Sequence, residues 1–534
     1  MPAADQELDA PTAKDPSSAA APGRAVRRAV PLWLVPVLVG VLAALVSAIG
    51  SWVPSAWADE AATMSAARRS LPELWRMVHH IDAVHGLYYA ALHLWFTVVP
   101  YSPFTLRLPS ALAVGVAAAF TVVLGDRLAG RWTGIVAGLV FAVLPRVTWA
   151  GTEGRSYAAT AVVSVVLTLV LVVAVRRTVQ RRGRPWVWWV LYGVLVLLSG
   201  LLFVYGVLVV AAHAVTLLLW VLRRRGPGGR GSHLRAALWW LVPTTTAALL
   251  LLPFVRLASG ETGAQLFSLP ELHWGPLLRT LVFTVQFFMS GTVLAWVGWA
   301  LVVVGAVGTV VVPRLRARVP AVEVTLPVIV LPPVVVIAAT MLTHPLYNAR
   351  YFTFATPFVA LAIALGLTLV PWRVVSALGL AVIVVLAQPQ WHIQRLPAAK
   401  DSSTWAQAAA DLTRLRAAEP RGTRDAVYYG PLPLHVNRTT EFVAAAYPEA
   451  FAGMRDLTLE RSAVDIGQLW AQRRSATDPL PDLSGVDRVW FVGQPTDDAP
   501  KRMQQQLVAD GWRVVTDRRD GGFLLRSFER SRTG

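Results

Sequence analysis

The sequence predicts a mainly α, polytopic membrane protein with about eleven transmembrane helices. Juxtamembrane helices on the outer face and a small C-terminal α/β extracytoplasmic domain complete the expected architecture. Three observations carry this. Of 534 residues, 55% are hydrophobic, against roughly 45–50% in soluble proteins. The excess lies in Leu-, Val- and Ala-rich blocks of about 20 residues, the length a helix needs to cross the hydrocarbon core. Arginine clusters separate many of these blocks, as cytoplasmic loops do.

The elements follow in order. Residues 1–29 are polar and Ala/Pro-rich and read as a disordered cytoplasmic tail. Arg24, Arg27 and Arg28 precede the first apolar block, Pro31–Gly50, which places the N-terminus inside. A cleaved signal peptide ending near Ala56-Trp57-Ala58 is the competing reading. The block exceeds an h-region of roughly 7–15 residues, which favours a retained helix. Arginines at 127 and 131, at 176–184, at 223–235, at 314–318 and at 373 then mark five cytoplasmic junctions. The blocks between them pair outward and inward: Leu108–Leu124 returns after the first, followed by Thr133–Trp149 and Tyr157–Val175, Trp186–Leu201 and Phe203–Leu222. Ala236–Val255 and Gly291–Val312, Val324–Leu342 and Thr353–Trp372 follow, and Val374–Leu386 leaves last. The expected domains are this tail, a transmembrane domain over 30–388 with a first outer loop at 51–107, and an extracytoplasmic domain over 389–534.

His85–Val99 would break the parity if it crossed. It reads as a helix at the outer interface, where Tyr and Trp are favoured. Arg107-Leu-Pro-Ser110 reads as a helix start with Pro109 in the first turn. A second outer segment, Arg256–Ser290, contains an amphipathic stretch at Pro276–Phe288. Beyond Gln388, Asp401–Ala417 reads as a helix with Ser402 or Ser403 near its N-cap. Ala499–Asp510 reads as another. Asp425–Tyr429, Arg488–Val492, Trp512–Thr516 and Gly522–Ser527 read as strands.

Composition also excludes. The absence of cysteine removes disulfides, thiolate metal sites and cysteine nucleophiles. A net charge of +18 suggests nucleic acid in a soluble protein. Here the charge sits at membrane junctions, and no nucleic-acid partner is expected.

Four groups of residues carry candidate chemistry, all assigned to the outer side. Asp59-Glu60 lies just beyond the first helix. Adjacent side chains diverge on a helix or strand, so one can act while the other anchors; ordinary interfacial charges are the bland alternative. Glu153-Gly-Arg-Ser-Tyr157 lies at an outer helix junction, where Glu153 also suits a helix N-terminus and Arg155 can simply pair with it. His344-Pro-Leu-Tyr347-Asn348-Ala-Arg350-Tyr351 forms a third outer turn. An arginine there matches a lipid phosphate or snorkels toward headgroups. His79, His80, Asp82 and His85 could ligate a divalent metal, but no recognised metal-ligand spacing is present and no metal ligand is assigned. Trp95, Tyr101 and the tryptophans at 186–189 read as interface-belt residues.

Taken in order, Asp59-Glu60, His85-Gly-Leu-Tyr-Tyr89, Phe104–Ser110 and Glu153–Tyr157 resemble the N-terminal half of the GT-C glycosyltransferases. The bacterial branch that resembles dolichyl-phosphate-mannose-protein mannosyltransferases and includes the aminoarabinose transferases of lipid A is the most similar. The resemblance spans about residues 31–400. It implies a polyprenyl-phosphate sugar donor and an extracytoplasmic lipid, glycan or protein acceptor. It implies catalytic roles for Asp59, Glu60 and Glu153, with Asp59 the general base of an inverting transfer. Arg155, Arg350 and Tyr351 fall at donor-phosphate positions. Tyr157, His85, Tyr88, Tyr89 and Tyr347 fall at substrate-facing ones. His85 stands where relatives often carry proline. A transporter or lipid flippase is the rival reading. It calls for ionisable residues near the bilayer midplane, whereas most of these spans lack charge.

Overall fold

The computed structural model describes residues 31, 33–223, 229–260, 275–432, 435–475, 478–494, 498–520 and 522–530. The predicted tail at 1–29, Arg224, Arg225 and much of the second outer segment lie outside them. The helices are α1 Leu34–Ala48, α2 Ala58–Ala67, α3 Leu71–Val78, α4 Gly86–Phe96, α5 Pro103–Ala129, α6 Arg131–Val143, α7 Pro145–Ala150, α8 Tyr157–Gln180, α9 Pro185–Leu202, α10 Leu208–Arg223 and α11 Arg230–Gly260. Then come α12 Pro276–Phe288, which contains a π turn, α13 Thr292–Val311, α14 Val319–Leu342, α15 Thr356–Leu367, preceded by a 3₁₀ segment Ala349–Ala355, and α16 Arg373–Ile393.

Among the described residues, nine helices are long and apolar enough to cross a membrane. The two other expected spans are present as the shorter apolar helices α1 and α6. The block predicted at Thr133–Trp149 is interrupted because Leu144 is extended, with ψ 128°. Pro145 disfavours the α conformation in its predecessor and then opens α7 at its first position. The predicted interfacial segment forms α4, only 11 residues long.

Close helix contacts draw α1 onto α5. A methyl group at Gly40 would lie 2.7 Å from the Gly115 carbonyl oxygen, and one at Gly115 would lie 2.6 Å from that of Gly40. Only glycine allows two backbones this near, a packing device that suits membrane bundles. The arginine-bearing junctions gather at one end of the bundle. There Arg176 donates to the Arg127 carbonyl at 2.8 Å and Arg318 to that of Thr368 at 2.9 Å. Arg223 meets Glu323 at 3.4 Å.

Beyond the bundle, β1 Asp425–Tyr429, β4 Arg455–Asp456, β7 Arg488–Gly493, β8 Trp512–Asp520 and β9 Phe523–Arg530 build one sheet in the order β4-β1-β7-β9-β8. β1 runs parallel to β4 and β7, and β7, β9 and β8 are antiparallel. Two small ribbons pair β2 Pro431–Leu432 with β3 His435–Thr439, and β5 Leu459–Arg461 with β6 Gln472–Arg473. Alternation along β1 sends Val427 and Tyr429 toward α17 Trp405–Ala417 and Ala426 and Tyr428 toward the other face. That face is covered by α19 Ala499–Ala509, and the short α18 Glu441–Ala446 faces the bundle.

Two local expectations are corrected. The helix expected at Asp401–Ala417 starts at Trp405, with Thr404 at its N-cap position. Asp401 and Ser402 are left-handed, with φ 50° and 52°, because Lys400 and Ser403 are drawn into the bundle by hydrogen bonds. The helix bearing Arg107 starts at Pro103, where Ser102 and Thr105 form a capping box, so Pro109 lies within the helix. The helix through Leu71 ends at Val78, and Asp82 is left-handed with φ 65°.

Candidate active site

α2 begins where Trp57 is fully extended, which puts Asp59 and Glu60 in its first turn. Acidic groups there face the positive end of the helix dipole. About 100° separates successive side chains on a helix, and the two carboxylates point to different surroundings.

Glu60 points inward and is fully buried. Arg107 grips it with a two-pronged fork, Nε to Oε1 at 2.8 Å and Nη2 to Oε2 at 2.6 Å. Gly154 N donates to Oε1 at 3.1 Å, and so does Lys400 Nζ at 3.1 Å. Lys400 Nζ also donates to Glu153 Oε1 and to the Thr152 carbonyl, each at 2.6 Å. Glu153 accepts in addition from Trp57 Nε1 at 3.0 Å. Two buried carboxylates thus share two buried cations, and every carboxylate oxygen has a donor. Burial opposes ionisation of Glu60, but Arg107 and Lys400 outweigh it and hold its pKa at about 2. Burial, added to the charge of Glu60, raises that of Glu153 despite Lys400.

Asp59 points the other way and is partly exposed, with 24% of its side chain accessible. Arg155 Nη2 lies 3.4 Å from Oδ1, and Arg350 Nη1 lies 3.2 Å from Oδ2. Burial opposes its ionisation, yet Arg155, Arg350 and His85 together lower its pKa below the usual 3.8. Arg155 is aimed by Tyr89, whose hydroxyl accepts from Nη1 at 2.7 Å and donates to Asp82. Arg350 lies 5.3 Å from the centre of the Trp57 ring. Among the described residues, neither Arg155 Nε, Arg350 Nε nor His85 Nδ1 has a hydrogen-bond partner. Burial and Arg155 depress the pKa of His85 to about 4, so its imidazole is neutral at physiological pH.

Tyr157 and Tyr351 stand beside these charges. Tyr157 packs between Trp149 and Phe203, at 5.4 and 6.1 Å between ring centres. Tyr351 packs 5.0 Å from Tyr205, whose hydroxyl donates to the Leu346 carbonyl at 2.9 Å. Other candidates lie elsewhere. Tyr88 is buried behind Arg155, 3.5 Å from Ser110, which donates to the Arg155 carbonyl. Tyr347 is buried in the core, with its hydroxyl on Gln286 at 2.8 Å and its ring against Phe352. His79 and His80 bond to carbonyls of their own helix, at Trp75 and Arg76. Among the described residues, no group of three or more His, Asp or Glu could hold a metal ion.

The two acidic segments are thus side by side: Thr63 donates to the Gly154 carbonyl at 2.9 Å while Gly154 N donates to Glu60. Sequence reasoning missed two members of the cluster. Arg107 looked like part of a helix start, and its charge at the edge of an apolar block was the available signal. Lys400 is one of only three lysines in a chain otherwise given to arginine, but nothing in its neighbourhood points to residues 60 and 153.

No protein-family model and no curated protein matches the chain. Solved structures do. ArnT from Cupriavidus metallidurans bound to undecaprenyl phosphate is 14% identical, with a TM-score of 0.52 over 92% of this chain and 97% of that one. The apo state of that protein aligns over the same shares, at 13% identity and TM-score 0.52. The chain therefore has the polytopic membrane fold seen in ArnT.

Proposed function

We propose that this protein is a membrane glycosyltransferase that moves a sugar from a polyprenyl-phosphate donor to an extracytoplasmic lipid, glycan or protein acceptor. The observation that carries the reading is Asp59, a partly exposed carboxylate held between Arg155 and Arg350, which reach it from separate helix junctions. That the same fold in ArnT was solved with undecaprenyl phosphate supports a donor of this class.

The chemistry follows from the charges. A planar guanidinium pairs with phosphate as well as with carboxylate. Arg155 and Arg350 carry free Nε groups and share the carboxylate of Asp59 between them. When a donor phosphate takes up those donors, Asp59 loses its partners and becomes a stronger base. It then accepts the proton of the acceptor hydroxyl as that oxygen attacks the anomeric carbon. The bond from that carbon to the phosphate oxygen breaks, and the leaving phosphate keeps the electron pair, stabilised by the arginines. It leaves as an anion and needs no general acid. One displacement with one base inverts the anomeric centre.

Glu60 and Glu153 are assigned positioning roles in this scheme, since their oxygens are committed to Arg107, Lys400 and Trp57. His85, Tyr157 and Tyr351 are the residues best placed to contact the sugar. Gathering of the arginine-rich junctions at the far end of the bundle supports an extracytoplasmic site, because positive loops stay inside. The polyprenyl tail is then delivered within the bilayer, between helices.

The test supplies radiolabelled polyprenyl-phosphate sugars to membranes holding the protein or its Asp59→Asn variant. Label should pass to an acceptor fraction with the parent and not with the variant. Undiminished transfer by a normally expressed variant removes the role of Asp59. Movement of lipid or solute without covalent transfer favours a transporter.

A further inference from the structure

A cleft of about 390 Å³ lies between the C-terminal domain and the α2–α3 pair. Its charged lining is balanced: Arg68, Arg69 and Arg473 against Glu73, Glu441 and Asp456. Arg69 and Arg473 are at least nine-tenths buried. Arg473 ion-pairs with both Glu441 and Asp456, and Arg69 donates to the carbonyls of Gln468 and Leu469. Yet among the described residues Arg69 Nη1 and Arg473 Nε have no partner. Two buried donors left over in this way are costly unless something accepts from them. Tyr429 and Trp470 add ring surfaces; Tyr429 lies 5.2 Å under the Arg473 guanidinium.

The charge balance argues against a phosphate or other anion. Carboxylates beside guanidiniums, two of which keep a free donor, instead match adjacent hydroxyl groups, each of which both donates and accepts. The part-exposed Trp470 ring matches the apolar face of a sugar ring. The cleft lies at the far end of α2 from Asp59, roughly 15 Å along the helix at about 1.5 Å per residue. We infer that this cleft is a saccharide-binding subsite that holds a non-reacting part of an uncharged glycan acceptor. Its role as an acceptor subsite rests on the glycosyltransferase reading; its binding of saccharide does not. The acceptor is then an oligosaccharide long enough to reach from the cleft to Asp59.

The experiment uses the full-length protein in detergent and, as probes, neutral linear tetrasaccharides of mannan, arabinan and glucan. Binding is followed by calorimetry and tryptophan fluorescence. At least one probe should bind saturably. Asp456→Asn and Arg69→Lys should each weaken it about tenfold or more, the loss expected for a hydrogen bond to a charged group. Leu459→Trp, at the exposed mouth, should block it, which keeps the test open should either polar variant fail to fold. Asp59→Asn should bind as the parent does. In turnover, Asp456→Asn should raise KM for a long acceptor while leaving kcat unchanged. The inference is overturned when no tetrasaccharide binds, when folded variants bind with parental affinity, or when unstructured peptides occupy the cleft in their place. Loss of saccharide binding with intact transfer removes this site alone. Intact binding without transfer removes the proposed reaction alone.

Discussion

Lys400 Nζ lies 2.6 Å from Glu153 Oε1, and both groups are almost wholly buried. The lysine comes from the segment after the last membrane helix, the glutamate from the α7–α8 turn. Removing one partner of a buried pair typically costs about 3–5 kcal/mol. Lys400→Met should therefore lower the thermal unfolding midpoint strongly, since it leaves both Glu60 and Glu153 short of a cation. Restoring much of that loss with a paired Glu153→Gln change would show that the ion pair, not the lysine stem, is responsible.

Asp59→Asn should reduce kcat about 10²–10⁴-fold, the range for a lost general base, with little change in the unfolding midpoint. Donor affinity should hold or improve, because Arg155 and Arg350 lose their competing carboxylate. Single-turnover kinetics with saturating donor separates the two effects.

Arg350→Ala should lower kcat about 10²–10³-fold, as loss of a charge-stabilising donor does. Arg350→Lys should recover only part of it, since an ammonium cannot present two parallel donors. Parental rates with Arg350→Ala would exclude it from the leaving-group site.

The pH profile has a definite sign. With Asp59 active as the carboxylate and its pKa below 3.8, kcat/KM should stay flat from neutral pH down to the region of pH 4 and fall only below it. His85, held near 4, adds no step near neutrality. For stability, Glu60 is depressed from 4.5 to about 2. Its contribution is complete above pH 4.5 and is lost as pH falls toward 2. Melting midpoints across that window should decline, and Glu60→Gln should flatten the decline.

Much of the scaffold was legible because length and arginine placement are enough to locate spans. Predicted helices and strands such as Ala499–Asp510, Asp425–Tyr429 and Arg488–Val492 coincide closely with the observed ones, since their apolar periodicity is local. The site was legible only in part. Asp59, Arg155 and Arg350 stood out as charges at helix ends, but nothing in sequence distinguishes the outlook of Asp59 from that of Glu60. That difference is set by the rotation of α2 against the Gly154 turn. Tyr347 misled because an aromatic beside an arginine looks the same whether it faces a substrate or, as here, Gln286. Arg107 and Lys400 belong to pairs 47 and 340 residues apart, and such pairing leaves no local trace.

The crossing point at Lys400 also bears on biosynthesis. During synthesis the chain exposes Glu60 and Glu153 long before the cation that neutralises them has been made. Until residue 400 emerges and docks, Glu60 has Arg107 and Gly154 N as donors and Glu153 has Trp57, with one cation for the two carboxylates. Completion of this buried charge cluster is therefore a late event, which follows synthesis of the last helix.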